Sequence, residues 1–247
     1  MSTEHVERMA KRNLERGERW HKKLSIKEIV FGFQDNSIAI LALLAGVTGG
    51  SLQRGQILLA GLAAVVAGAI AVAIGSYISS KSELEYFESE INRESREIEG
   101  KLPVEREEVR QIYMKKAAFT ENELSLIVNR ITSDKKAWLD TMTRDELGLA
   151  KERFVHPLKA ALVMMGAETI GGLVPLTPYL ITPNVQTGFM GGIVVTFASL
   201  FAIGVWKTTF TKKNKLRSGL EMVVAGTLAT VVPYFIGNFL SSLALPI

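Results

Sequence analysis

The sequence has no cysteine, three histidines and seven prolines among 247 residues. Without cysteine there is no disulfide scaffold, no thiolate zinc site and no thiol catalysis. His5, His21 and His156 lie far apart, with no metal-ligand spacing, and imidazole is assigned no role. No phosphate-binding glycine loop, nucleophile elbow or metalloprotease helix occurs. The chain therefore reads as a non-enzyme, and an ATP-driven pump is disfavoured. Acid is scarce wherever the chain is apolar. Of 25 acidic residues, 17 lie between Lys81 and Arg153, and only Asp35 and Glu168 fall deep inside apolar runs.

What is present is apolar residue in long blocks. Hydrophobic residues make up 47% of the chain, a content too high for disorder. The mean hydropathy is +0.19 although 22% of residues are charged, so charge and apolarity are segregated. The net charge of +4 is not read as a nucleic-acid footprint, because the basic residues flank the apolar blocks and act there as topology signals.

The blocks predict an all-α integral membrane protein with five transmembrane helices. Residues 1–27 form a basic, weakly amphipathic arm, with Trp20 suited to the headgroup interface. Residues 28–79 hold spans one (Ile29–Gly50) and two (Ile57–Ser79), joined by the short SLQRGQ loop. Residues 80–156 form a polar insert. Residues 157–247 hold spans three (Pro157 to about Ile181), four (Val185–Trp206) and five (Gly219–Leu245). Each is long enough to cross about 30 Å of hydrocarbon.

Lysine and arginine alternate with these spans. Eight lie in the arm, one in the first loop, 14 in the insert and five around the KTTFTKKNKLR loop. The loop after span three and the C-terminus have none. The positive-inside rule then places the N-terminus and the 80–156 module in the cytoplasm and Ile247 outside or in a lumen.

The insert reads as about three helices. Span two continues as a polar helix to Gly100, where Gly100 and Pro103 break it. A second helix covers about Val104–Lys116. Thr120 and Glu123 form a capping-box pattern that opens a third toward Ile131, and a last short helix covers about Lys135–Leu149. Glutamates with interleaved lysine and arginine are usually a solvated helix face. Here, however, Glu94/Glu97 and Glu105/Glu108 repeat a three-residue spacing on either side of a break. An antiparallel pair could gather all four, and crowded carboxylates are costly without a cation. Their oxygens suit Mn2+ or Fe2+, and a Met thioether adds a softer donor.

Four stretches together make the chain resemble the vacuolar iron transporter family. They are IVFGFQDNSIAILALLAGVTGG, LAGLAAVVAGAIAVAIGSYISSKSELEYFESEI, the Trp138–Leu149 segment WLDTMTRDELGL, and GGLVPLTPY. The resemblance covers about Ile29–Leu245. It implies a homodimer in the bilayer with five spans per subunit, an ion path near the dimer axis, and a cytoplasmic module that collects metal. It implies Fe2+ or Mn2+ as cargo, with no prosthetic group. The family's module ligands fall on Glu94, Glu97, Glu105, Glu108, Met142 and Glu146, and its span-one acid on Asp35. The implied host is the plasma membrane of a prokaryote or a vacuolar-type membrane of a eukaryote.

In span two the family pattern AGA-I-S-M-x-x-G-E-Y becomes AGAIAVAIGSY. Val72 stands where the Met is expected and Ser76 where the Glu is expected. Two alternatives stay open on this ground: a membrane-anchored metal buffer or sensor that does not transport, and a transporter with altered cation preference. An acid within a span is a functional candidate by default. Glu168 in span three is therefore read as a second carboxylate of the path, compensating for Ser76, against a purely structural hydrogen-bonded acid. Met164 and Met165 one turn earlier are read as packing residues. The expected mechanism is exchange of the divalent cation against protons, since both compete for carboxylate oxygens.

Overall fold

The computed structural model describes residues 26–49, 53–149 and 155–227. Among them the structure is helical, with no strand. Helix α1 covers Ile26–Gly49, α2 Arg54–Gly100, α3 Leu102–Lys116, α4 Glu121–Thr132 and α5 Lys135–Thr141, followed by a π turn at Met142–Glu146. Helix α6 covers Pro157–Leu173, a 3-10 turn Val174–Leu176, α7 Thr177–Ile181 and α8 Val185–Thr211. Residues 215–227 are helical again.

Four stretches are long and apolar enough to cross a membrane: Ile26–Thr48, Arg54–Gly100, Pro157–Ile181 and Val185–Thr211. They correspond to the first four expected spans. Most of the expected fifth, and the basic arm apart from Ile26 and Lys27, lie outside the described residues.

The chain divides into two units. One comprises the described part of Ser79–His156. The other comprises the described parts of Leu24–Ile78 and Pro157–Ile247. Helix α2 runs 47 residues without a break and contributes its apolar half to the second unit and its charged half to the first.

In the unit with the apolar helices, α1 packs most extensively on α6. The contact is set by small residues, which let backbones approach in a medium with no hydrophobic drive between helices. A Cβ added at Gly171 would stand 2.3 Å from the Phe33 carbonyl oxygen, and one at Gly172 2.6 Å from Asn36 Nδ2. Hydrogen bonds then fix the register. Asn36 Nδ2 donates to the Glu168 carbonyl at 3.0 Å, and the Ser37 hydroxyl reaches the Gly171 carbonyl at 2.9 Å. Ile40, Leu44, Ile57, Val65, Leu176 and Tyr179 form the apolar core.

Pro175 and Pro178 interrupt span three where Leu176 and Tyr179 pack into the apolar core. The Arg54 guanidinium donates to the carbonyls of Tyr179 at 2.6 Å and Leu180 at 2.8 Å, and the Tyr179 hydroxyl pairs with Thr48 at 2.8 Å. Carbonyls near the end of the broken span are thus satisfied by a cation on the SLQRGQ loop side.

The charged unit closes around Ile98, Val109, Val128, Trp138 and Met142. Helix α3 begins with Pro103 in its first turn, where the missing N–H costs nothing. Thr120 caps α4 in the expected reciprocal box with Glu123. The last helix departs from the expected regular one. Asp134 caps α5, but at Met142 the ladder widens, and the Leu147 N–H bonds back to the Met142 carbonyl at 3.2 Å. Gly148, with φ +66°, then ends the turn, and the Leu149 N–H reaches the Thr143 carbonyl at 2.9 Å.

Gly171→Ala is expected to force α1 and α6 apart and lower the thermal stability of the detergent-solubilised protein by about 1–3 kcal/mol, the usual range for overpacking. Gly166→Ala, where nothing lies within 4 Å of the new methyl, is expected to leave stability unchanged or raise it slightly. Equal melting temperatures for the two variants would show that the close approach is not limiting.

Candidate metal centre

The spacing of acids on α2 and α3 becomes geometry in the charged unit. Helix α2 ends at Gly100, and Lys101 bridges directly into α3, so the last turns of one face the first turns of the other. Glu94 and Glu105 are buried, at 1% and 4% exposure, and their carboxyl groups meet side chain to side chain. Glu108 meets Glu105 in the same way. Glu146, exposed on the π turn, acts electrostatically on Glu94, and Glu108 acts on Glu146.

One carboxyl oxygen on Glu94 and one on Glu105 are buried with no hydrogen-bond partner. Leaving such an oxygen unpaired costs at least ~1–3 kcal/mol, more if charged. The electrostatics follow. Burial first, and then Glu146 and Glu105, push the Glu94 carboxyl up to about 7. Burial and then Glu108 raise that of Glu105. Partial burial and then Glu108 raise that of Glu146.

Glu97 behaves differently. Arg93 lies 3.2 Å from one of its oxygens and Lys101 3.1 Å from the other. The Lys101 hydrogen bond, supported by Arg93, holds its carboxyl below the usual range. Met142 is fully buried in the apolar core beside Ile98 and Val109. Among the described residues, no three carboxylate or imidazole groups stand as a finished cation cage. The structure therefore brings Glu94, Glu105 and Glu108 into contact, sets Glu146 within electrostatic reach, ties Glu97 to basic residues, and seats Met142 in the neighbouring core. Such an arrangement can accept a divalent cation by losing protons and drawing its carboxylates inward.

In the other unit, Asp35 and Glu168 face each other from α1 and α6. Glu168 is 1% exposed, whereas Asp35 lies on an exposed face of α1. Their carboxyl groups are in side-chain contact, and one Glu168 oxygen is buried without a hydrogen-bond partner. The structural reading of Glu168, an acid bonded to a neighbouring helix, fits the contact with Asp35 and leaves the other oxygen unexplained. The hydrogen bond from Asn36 goes to the Glu168 backbone carbonyl, not to its side chain. Val72 and Ser76 are half-buried on α2.

Sequence reading missed one feature: the π turn has no signature beyond Gly148 after Glu146. Met164 is buried, as expected of a packing residue, one turn before Glu168 with its sulfur against Gly32 of α1.

Fold and site together define an α-helical membrane protein with an acidic helical unit suited to cations. The chain belongs to the VIT family, which matches residues 26–238. It is similar to vacuolar iron transporter 1 of Arabidopsis thaliana, 34% identical over 209 residues, covering 85% of this chain and 83% of that protein. It is also similar to vacuolar iron transporter 2 of Oryza sativa subsp. japonica, 33% identical over 218 residues and 88% of each chain. The vacuolar iron transporter of Plasmodium falciparum is 29% identical over 228 residues, 89% of this chain and 84% of that one. These relatives carry the names of transporters, in keeping with a chain read as a non-enzyme.

The elevated Glu94 value sets a pH dependence. Between about 4.5 and 7 the folded protein holds a proton at Glu94 that the unfolded chain has released. This contribution to cation-free stability therefore declines as pH rises through that window. Cation binding runs the other way, because the ion must displace the proton. Mn2+ affinity of the full-length protein is expected to weaken as pH falls below about 7, with protons released on binding. Glu94→Gln is expected to weaken binding roughly tenfold, as loss of a metal-site partner does, and to flatten the profile. Calorimetric titration in two buffers of different ionisation enthalpy would measure both effects.

Proposed function

We propose that this chain is a secondary transporter that moves a divalent metal cation, Fe2+ or Mn2+, out of the cytosol in exchange for protons. The observation that carries this reading is the pair of unpartnered buried carboxyl oxygens on Glu94 and Glu105, in a family whose named relatives are iron transporters. In this reading the 80–156 module is cytoplasmic. Glu94, Glu97, Glu105, Glu108, Met142 and Glu146 collect the ion there, with Glu97 exchanging Lys101 and Arg93 for metal. Asp35, with Glu168, carries the ion through the bilayer. A more acidic far side protonates the carboxylates and releases it.

The working form is a homodimer with five spans per subunit, its N-terminus cytoplasmic and its C-terminus outside or lumenal. It resides in a plasma membrane or a vacuolar-type membrane according to the host. A second reading is favoured by Val72 and Ser76, which offer span two no carboxylate or thioether. It is a membrane-anchored metal buffer or sensor that binds without transporting. Altered cation preference in a working transporter is its intermediate form.

Flux separates these. Proteoliposomes containing the wild-type chain are expected to accumulate Fe2+ and Mn2+ when the lumen is acidic, and Asp35→Ala to reduce uptake to the protein-free background. Uptake indifferent to a pH gradient removes the exchange claim. Metal binding without any uptake establishes the buffer reading.

Topology can be tested cleanly because the chain has no cysteine. A Cys introduced at Lys115 is expected to react with an impermeant thiol reagent only from the cytoplasmic side, and one at Gln186 only from the opposite side.

A further inference from the structure

We propose that Met164 and Glu168 of α6 join Asp35 of α1 in one cation site within the membrane-spanning unit, made of two carboxylates and a thioether. The inference rests on the transport reading and adds to it the residues that hold the ion in the bilayer and the class of ion they select.

The two α6 residues are four apart, so they stack on one face of the helix, which is the buried face. Glu168 is 1% exposed and Met164 7%. Their partners on α1 are also about one turn apart. The Met164 sulfur lies against Gly32, 3.0 Å from where a Cβ would stand. The Glu168 carboxyl meets Asp35, three residues further along α1. Gly32 thus leaves the thioether the room that a side chain would occupy. The Asn36 amide, bonded to the Glu168 carbonyl at 3.0 Å, fixes the register that brings these groups together.

One Glu168 oxygen is enclosed without a partner, and among the described residues no lysine or arginine is ion-paired with either acid. An acid so enclosed in a spanning helix is costly when ionised unless it meets a positive charge. Asp35 on the exposed face and Glu168 behind it give the order of contact, with the ion meeting Asp35 first.

Sulfur decides the preference. A thioether contributes little to Mg2+ or Ca2+, which favour oxygen, and more to the later first-row ions. The site therefore takes borderline divalent cations such as Fe2+ and Co2+ ahead of Mg2+ and Ca2+. The thioether sharpens the ranking, and the carboxylates supply the charge.

The test uses full-length protein in liposomes, with Fe2+, Co2+ and Mn2+ flux measured for wild type, Met164→Leu, Glu168→Gln and Met165→Leu. Met165 lies next to Met164 on an exposed face and serves as the control. Glu168→Gln is expected to reduce all fluxes by roughly tenfold or more, a loss typical of removing one ligand from a metal site. Met164→Leu is expected to reduce Co2+ and Fe2+ flux several-fold relative to Mn2+, and Met165→Leu to change nothing. Wild-type ratios in both Met164→Leu and Glu168→Gln, with Asp35→Ala still inactive, overturn the site and leave the transport reading intact.

If the wild type transports nothing, the transport reading fails, and the site is judged by equilibrium Co2+ binding in detergent. The background is Glu94→Gln with Glu105→Gln, which disables the module. Residual binding that Met164→Leu weakens and Glu168→Gln abolishes upholds the site, and no residual binding overturns it. Should Glu168→Gln fail to fold, Met164→Leu decides alone by its Co2+-to-Mn2+ ratio.

Discussion

Carboxylate oxygens removed from water without a compensating charge are the constraint around which this protein is organised. Glu94, Glu105 and Glu168 each keep a buried oxygen with no hydrogen-bond partner. Most buried polar atoms in proteins are paired, and a group left unpaired calls for an explanation such as a bound ion or water. Glu28, Trp138 and Thr196 also each keep a buried polar atom without a partner, whereas other polar groups among the described residues are paired closely. Arg54 reaches two carbonyls near the end of a broken helix, and Thr120 and Glu123 close a reciprocal cap. Of the four glutamates with such an oxygen among the described residues, Glu94, Glu105 and Glu168 each meet another acid. A bound cation would relieve that cost, as would a proton.

Helices suit this task because they satisfy the backbone internally and leave side chains free to carry the imbalance. The α1–α6 contact shows how far the argument extends. Gly171 and Gly172 bring the backbones so near that Asn36 and Ser37 can bond across to α6 carbonyls. That register sets Asp35 opposite Glu168. The small residues therefore act on that pairing at one remove. They carry no donor, yet without them the two acids would not meet.

Much of the fold was legible because its signals are local or periodic. The long α2, the break at Gly100 and Pro103, the Thr120 cap and the interruption of span three all lie in short stretches of sequence. Glutamate spacing on either side of a one-residue break likewise announced that Glu94 and Glu105 would meet. What stayed hidden depends on partners distant in sequence. Nothing in the sequence of the last module helix says that its ladder widens at Met142, because a π turn is resolved by packing against Ile98 and Val109. Glu97 shares its spacing with Glu94 but faces Arg93 and Lys101, so identical residue types three apart hold opposite protonation tendencies. Met164 is packed, as an apolar residue in a span is expected to be, but that Gly32 makes room for its sulfur depends on a partner distant in sequence.

The contrast between Glu94 and Glu97 bears on how a collecting module can both capture and release. Were every carboxylate as enclosed as Glu94, each would hold a proton near neutrality, and a metal would have to displace several at once. Were every one as well paired as Glu97, the site would be charged and solvated, with basic residues already filling the cation's place. A mixed set avoids both extremes. Glu97 is ionised and exposed enough to attract an ion at long range, and its lysine partner is a flexible side chain that can swing away. On the transport reading proposed above, Glu94 and Glu105 would give up protons to the metal at short range. Their burial would then link capture to proton release, and the direction of exchange would follow from whichever side supplies the proton.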